Sequence, residues 1–99
     1  MGAYLDTPVT EKVREDGKNS FCSWGACSMQ GWRCGMEDSH IAIPLKTEDG
    51  KDAMLFGVFD GHGGKEVANF ARDEFKDVLL AQPEWKHSDY EMALQKAFL

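Results

Sequence analysis

This 99-residue chain has no cluster of basic residues: 11 Lys and Arg are dispersed among 17 Asp and Glu, for a net charge of −6. Such a surface offers no counterion release to a nucleic-acid backbone and is repelled by anionic lipid, so neither is expected as a partner. No apolar stretch approaches the length of a bilayer span, and the N-terminus lacks the basic start and apolar middle of a secretion signal. Cysteine is scarce too. Cys22, Cys27 and Cys34 are odd in number and form no Cys-x-x-Cys pair, which argues against a disulfide framework and for a reducing, intracellular location, cytoplasmic or nuclear. Met1-Gly2 resembles an acylation start, but Asp6 stands where serine or threonine is needed, so no lipid anchor is expected at Gly2. Internal repeats and low-complexity segments are absent, and 42% apolar with 28% charged residues describes a packed, ordered domain.

The most informative segment is the apolar run Ala53–Phe59, which passes without a break into Asp60-Gly61-His62-Gly63-Gly64. A short apolar run bounded by turn residues predicts a strand buried on both faces. Its end delivers a carboxylate, a flexible glycine and an imidazole in succession, and glycines at 61, 63 and 64 allow close backbone approach to a ligand. Upstream, Arg33-Cys34-Gly35-Met36-Glu37-Asp38 places a guanidinium and two carboxylates together. Between the two clusters, Ser39, Ile41, Ile43 and Leu45 alternate with His40, Ala42 and Pro44, the period of a half-buried strand. Pro44 suits an edge or a bulge. Asp49-Gly50 then marks a hairpin turn. Folding the chain there sets Asp38 opposite Gly61 and Asp60 opposite Ser39, so the acidic clusters meet at one end of the hairpin. Carboxylates brought so close repel unless a cation or proton intervenes, and oxygen ligands suit magnesium, manganese or calcium.

These two motifs, Arg33 with Met36-Glu37-Asp38 and then Phe56-Gly57-Val58-Phe59-Asp60-Gly61-His62-Gly63-Gly64, resemble the N-terminal signature of the metal-dependent PP2C-type serine/threonine protein phosphatases. The likeness covers Phe21–Leu80 most clearly. It implies a catalytic domain roughly two and a half to three times longer, within the range of one large domain. The chain therefore reads as an N-terminal fragment, with residues 1–19 an arm holding a short strand and 20–99 the first portion of the phosphatase domain. Further metal-binding aspartates would lie beyond it.

The resemblance also implies roles. Asp60 would bridge two Mg2+ or Mn2+ ions with the Gly61 carbonyl as a further ligand, and Glu37 and Asp38 would bind directly or through water. Arg33 would clamp the phosphate and His62 would protonate the leaving serine or threonine oxygen, in the hydrolysis of phosphoserine and phosphothreonine proteins by metal-activated water. Taken without the family, Arg33 is as well explained by an ion pair with Glu37, and His62 by a turn before a helix. The alternative is a non-catalytic fragment that holds a metal or a protein partner, with self-association through surface left uncovered by truncation. In either case the isolated chain is expected to be inactive.

Beyond Gly64, Val67, Phe70, Ala71, Phe75, Val78 and Leu79 recur at helical spacing, predicting an amphipathic helix that ends before Pro83. Ser88-x-x-Glu91 has the form of a capping box, followed by the stripe Tyr90, Leu94, Ala97 and Phe98. Three or more antiparallel strands followed by two helices make the class α+β, and the resemblance implies part of a β-sandwich flanked by helices. In a strand over Phe21–Met29, Cys22 and Cys27 would point to opposite faces, which argues against a shared zinc site with His40 and predicts buried free thiols.

Overall fold

The structure, a computed structural model, describes residues 4–99; Gly2, where a lipid would be attached, lies outside the described residues. The class is α+β: four antiparallel strands in two two-stranded sheets, followed by three helices. The chain divides into two compact units between Met36 and Glu37.

The first unit is a long hairpin of β1 (Tyr4–Lys18) and β2 (Ser23–Arg33). Lys18 pairs with Ser23 and Lys12 with Met29, after which the register shifts twice so that Val9 meets Gly31 and Tyr4 meets Arg33. Gly31, at φ +71°, supplies the left-handed residue such an irregularity favours. The Asn19 side chain accepts a hydrogen bond from Phe21 N at 3.1 Å and closes the connection. A short strand is expected in residues 1–19; the one observed runs for 15 residues. β1 is exposed along nearly all its length, and its few apolar residues, Tyr4, Leu5, Val9 and Val13, are spread among polar and charged ones, which leaves only a weak signal in the sequence. The expectation that Cys22 and Cys27 are buried thiols is overturned: Cys27 is exposed and Cys22 half-buried, and Cys34 is exposed as well. Cys27 lies on the face of β2 shared with exposed Ser23 and Met29, while Trp24, Ala26 and Ser28 on the other face are half-buried.

The second unit begins with β3 (Ser39–Lys46) and β4 (Asp52–Phe59), paired from Ser39↔Phe59 to Lys46↔Asp52. The predicted register is therefore off by one residue. The cause is the turn, which uses five residues and centres on Asp49. Gly50 N donates to Thr47 O at 2.9 Å, Gly50 takes φ +82°, and Thr47 N donates to Lys51 O at 2.9 Å. That is a type I turn followed by a left-handed glycine. The Thr47 hydroxyl bonds the Asp49 carboxylate, which holds this carboxyl below its usual range with help from the Lys51 charge.

Of the face made by Ser39, Ile41, Ile43, Leu45, Ala53, Leu55 and Phe59, Ser39, Ile41 and Leu45 are buried and the rest partly buried. The core joins Ile41 and Leu45 to Phe75, Leu79, Trp85 and Ala93. β4 is not covered on both sides: on its other face Phe56 is 52% and Val58 75% exposed. The helices α1 (Glu66–Leu80), α2 (Pro83–Lys86) and α3 (Tyr90–Ala97) supply the packing for one face only.

Within α1 the buried residues are Ala68, Phe75 and Leu79, whereas Val67 and Phe70 of the predicted stripe are exposed. A two-stranded sheet covers a narrower arc than this helix presents. Pro83 starts the extra turn α2, where a missing N–H costs nothing. Ser88 does not cap α3. It takes φ +59°, and Asp89 Oδ1 accepts from Met92 N at 3.3 Å instead. The buried residue of α3 is accordingly Ala93, with Tyr90 and Ala97 beside it, while Leu94 and Phe98 of the expected stripe are 39% and 69% exposed.

The Trp85 and Tyr90 rings meet in a tilted contact with centroids 4.9 Å apart, and Lys96 Nζ donates to Glu84 Oε2 at 2.5 Å, clipping α3 to α2. That bond holds the Glu84 carboxyl below its ordinary value of 4.5. A carboxyl lowered on folding contributes stability above its unfolded pKa and loses it as pH falls through the folded one. Acidification below about 4.5 is therefore expected to lower the melting temperature. Lys96→Met should flatten that acid limb, and an unchanged limb would show that the clip contributes nothing.

Candidate metal centre

The open end of the β3–β4 hairpin carries the candidate residues of the second unit. Ser39 and Phe59 form the last pair, so the residues next outward are Asp38 and Asp60. Both carboxylates thus stand at the same end of the hairpin, and both residues are exposed. From Asp60 the chain crosses to α1 through Gly61-His62-Gly63-Gly64-Lys65. Gly63 and Gly64 adopt φ +74° and +125°, a region other residues rarely enter.

Glu37 organises this crossing. Its Oε1 accepts a hydrogen bond from Gly64 N at 3.2 Å, joining the segment before β3 to the loop after β4. Its backbone carbonyl sits so close to Gly61 that an added Cβ would lie 2.3 Å from Glu37 O and 3.1 Å from the Ala68 Cβ. The Ser39 hydroxyl, buried, hydrogen-bonds the Asn69 side chain and fastens β3 to α1. Beside these, Asp60, Gly61 and His62 line a cavity of about 440 Å³ with Val58, Phe59, Val67, Ala68 and Ala71.

The sequence-predicted residues separate accordingly. Glu37 meets Gly64 through its carboxylate and Gly61 through its backbone carbonyl, and Asp60 and His62 line one cavity. Arg33 belongs to the first unit, at the end of β2, where its carbonyl accepts from Gln30 Nε2 at 2.8 Å. Among the described residues, no three His, Cys, Asp or Glu side chains converge closely enough to form a metal cage. The donors still suit a hard cation in kind, because Glu37, Asp38 and Asp60 are carboxylates and Gly61 adds a carbonyl with no side chain in the way. The Gly63-Gly64 pair is the sequence signal for the Gly64 N–H contact, whereas nothing in the local spacing marks the Ser39–Asn69 bond.

This α+β chain, with its acidic hairpin end and Asp60-Gly61-His62 loop, belongs to the protein phosphatase 2C family, whose model matches residues 23–99. It is 46% identical over 98 residues to "Probable protein phosphatase 2C 21" of Arabidopsis thaliana, covering 99% of this chain and 27% of that protein. It is likewise 46% identical over 99 residues to "Probable protein phosphatase 2C 3" of Paramecium tetraurelia, covering 100% of this chain and 32% of that one. Against "Probable protein phosphatase 2C 58" of Oryza sativa subsp. japonica the identity is 45% over 98 residues, covering 99% of this chain and 26% of the relative. The chain thus spans about a quarter to a third of the curated relatives it matches. No helix among the described residues is long and apolar enough to cross a membrane.

Proposed function

We propose that this chain serves the metal-dependent hydrolysis of phosphoserine and phosphothreonine in proteins, as the first portion of a PP2C-type domain over residues 20–99. The observation that carries the reading is the Asp60-Gly61-His62 loop, held to Glu37 through Gly64 inside the region matched by the family. Asp60, Gly61, Glu37 and Asp38 are the residues that would hold two Mg2+ or Mn2+ ions. When bound, such ions lower the pKa of a water and offset charge on phosphoryl oxygens.

The remaining work falls to side chains. Arg33 binds two phosphoryl oxygens through its planar fork. His62, exposed at the cavity rim, donates a proton to the departing serine or threonine oxygen. The 99-residue chain alone turns over little, because among the described residues no three His, Cys, Asp or Glu side chains converge to fix a cation, and misplacement by about 1 Å can cost on the order of a hundredfold in rate. The second reading is a non-catalytic fragment that binds metal or a protein partner. Exposed Cys27 and Cys34 suit a reducing compartment, cytoplasmic or nuclear. Val58, 75% exposed on the outer face of β4, offers surface for self-association.

Manganese titration calorimetry on the chain and on Asp60→Asn tests the centre. Affinity is expected to fall on the order of tenfold, since hard-cation affinity follows ligand charge. Equal affinities would remove Asp60 as the principal ligand. Phosphothreonine-peptide hydrolysis at a substantial rate, lost in His62→Gln, would instead show that the chain is catalytically sufficient.

A further inference from the structure

Among the described residues Ser39 is the one buried polar residue, and it stands where packing alone would take another apolar side chain: Ile41, Ile43 and Leu45 follow it on the same face of β3. A buried hydroxyl costs free energy unless it is hydrogen-bonded. Asn69, whose N–H donates to Lys65 O at 2.9 Å in the opening turn of α1, is less favourable than alanine inside a helix. Neither residue is the choice that stability alone would make, yet together they form the hydroxyl-to-amide bond that joins β3 to α1.

That bond lies at the site end of both elements. Ser39 follows Asp38 directly and pairs with Phe59, the residue before Asp60. Asn69 follows Ala68, whose Cβ would lie 3.1 Å from a Cβ added at Gly61. Apolar contacts are non-directional and let a helix slide on a sheet, whereas a hydrogen bond holds only within a narrow range of distance and angle. We infer that Ser39 and Asn69 are positioning residues: their bond seats the start of α1 on the end of β3 and thereby sets how Asp60 and Gly61 stand to Asp38. The consequence for metal binding rests on the metal-dependent reading above. Neither side chain adds charge to the centre, so the bond acts through the spacing of ligands, to which small hard cations are sensitive.

Manganese calorimetry on the 99-residue chain, with urea unfolding and hydrogen exchange of the metal-free protein in parallel, tests this. Asn69→Leu leaves the Ser39 hydroxyl buried without that acceptor and is expected to lower both the affinity and the unfolding midpoint. Combining it with Ser39→Ala removes both polar groups, and the midpoint should return close to its original value, since an apolar pair of similar shape replaces the bond. Affinity should nonetheless stay about tenfold down, the low end of what loss of an outer partner costs a metal site. Asn69→Asp, which keeps an acceptor oxygen, should bind at least as tightly as the unaltered chain. Exchange at Gly64, whose N–H donates to Glu37, should quicken in the double variant. Affinity that recovers together with the midpoint, or Gly64 exchange that does not change, would reduce the pair to packing and overturn the inference. An unaltered chain that takes up no manganese, with Gly64 exchange still quickened in the double variant, would uphold the positioning and sink the metal-dependent reading instead.

Discussion

Gly61→Ala is expected to destabilise the second unit by about 3 kcal/mol, the upper end of what overpacking costs. The added Cβ would lie 2.3 Å from the Glu37 carbonyl oxygen, a backbone atom, and 3.1 Å from the Ala68 Cβ. Neither neighbour can swing aside as a long side chain could. Relief requires the segment before β3 to move outward, and that movement pulls Glu37 Oε1 away from Gly64 N. The substitution should therefore also weaken manganese binding, although it removes no charge. Urea unfolding of both proteins measures the first effect and calorimetry the second. An unchanged midpoint would mean that the Glu37 carbonyl yields freely and that the close approach is incidental.

Leu79→Ala is the second large effect, expected at about 3 to 4 kcal/mol, as for other buried leucines truncated to alanine. Leu79 is 1% exposed and belongs to the cluster with Ile41, Leu45, Phe75, Trp85 and Ala93. It also borders a cavity lined by Leu45, Thr47, Ala53, Met54, Leu55, Trp85, Tyr90 and Leu94, so truncation enlarges space already present. The matching truncation at Val67, 81% exposed, should change the unfolding midpoint little. Comparable losses at the two positions would contradict the placement of the core on one face of the β3–β4 sheet.

What the residues announce well is local. The alternation from Ser39 to Leu45 predicts the face of β3 that packs, and Ser39, Ile41 and Leu45 are the buried members of that strand. The Asp-Gly pair predicts the turn, and Pro83 the end of α1. Each signal depends on spacing along a single segment. Errors arise where two segments must agree. Ser88 and Asp89 are both acceptable caps, and the choice of Asp89 depends on how α2 delivers the chain. Val67 and Phe70 fall within the apolar stripe of α1, yet whether they are covered depends on the width of the opposing sheet.

By itself, the sequence determined the chemistry of the site, its carboxylates, glycines and imidazole, together with the hairpin and helix that bear them, because residue type and period are properties of the chain alone. Tertiary structure decided how those groups meet. The five-residue turn set the register that puts Asp38 and Asp60 at one level, since pairing is chosen by turn geometry as well as by pattern. Closure brought Glu37 to Gly64 and its carbonyl against Gly61, contacts between residues 27 and 24 positions apart that no local spacing encodes. The covered face of β4 was likewise decided by where three helices packed, which the run Ala53–Phe59, apolar on both sides, could not specify.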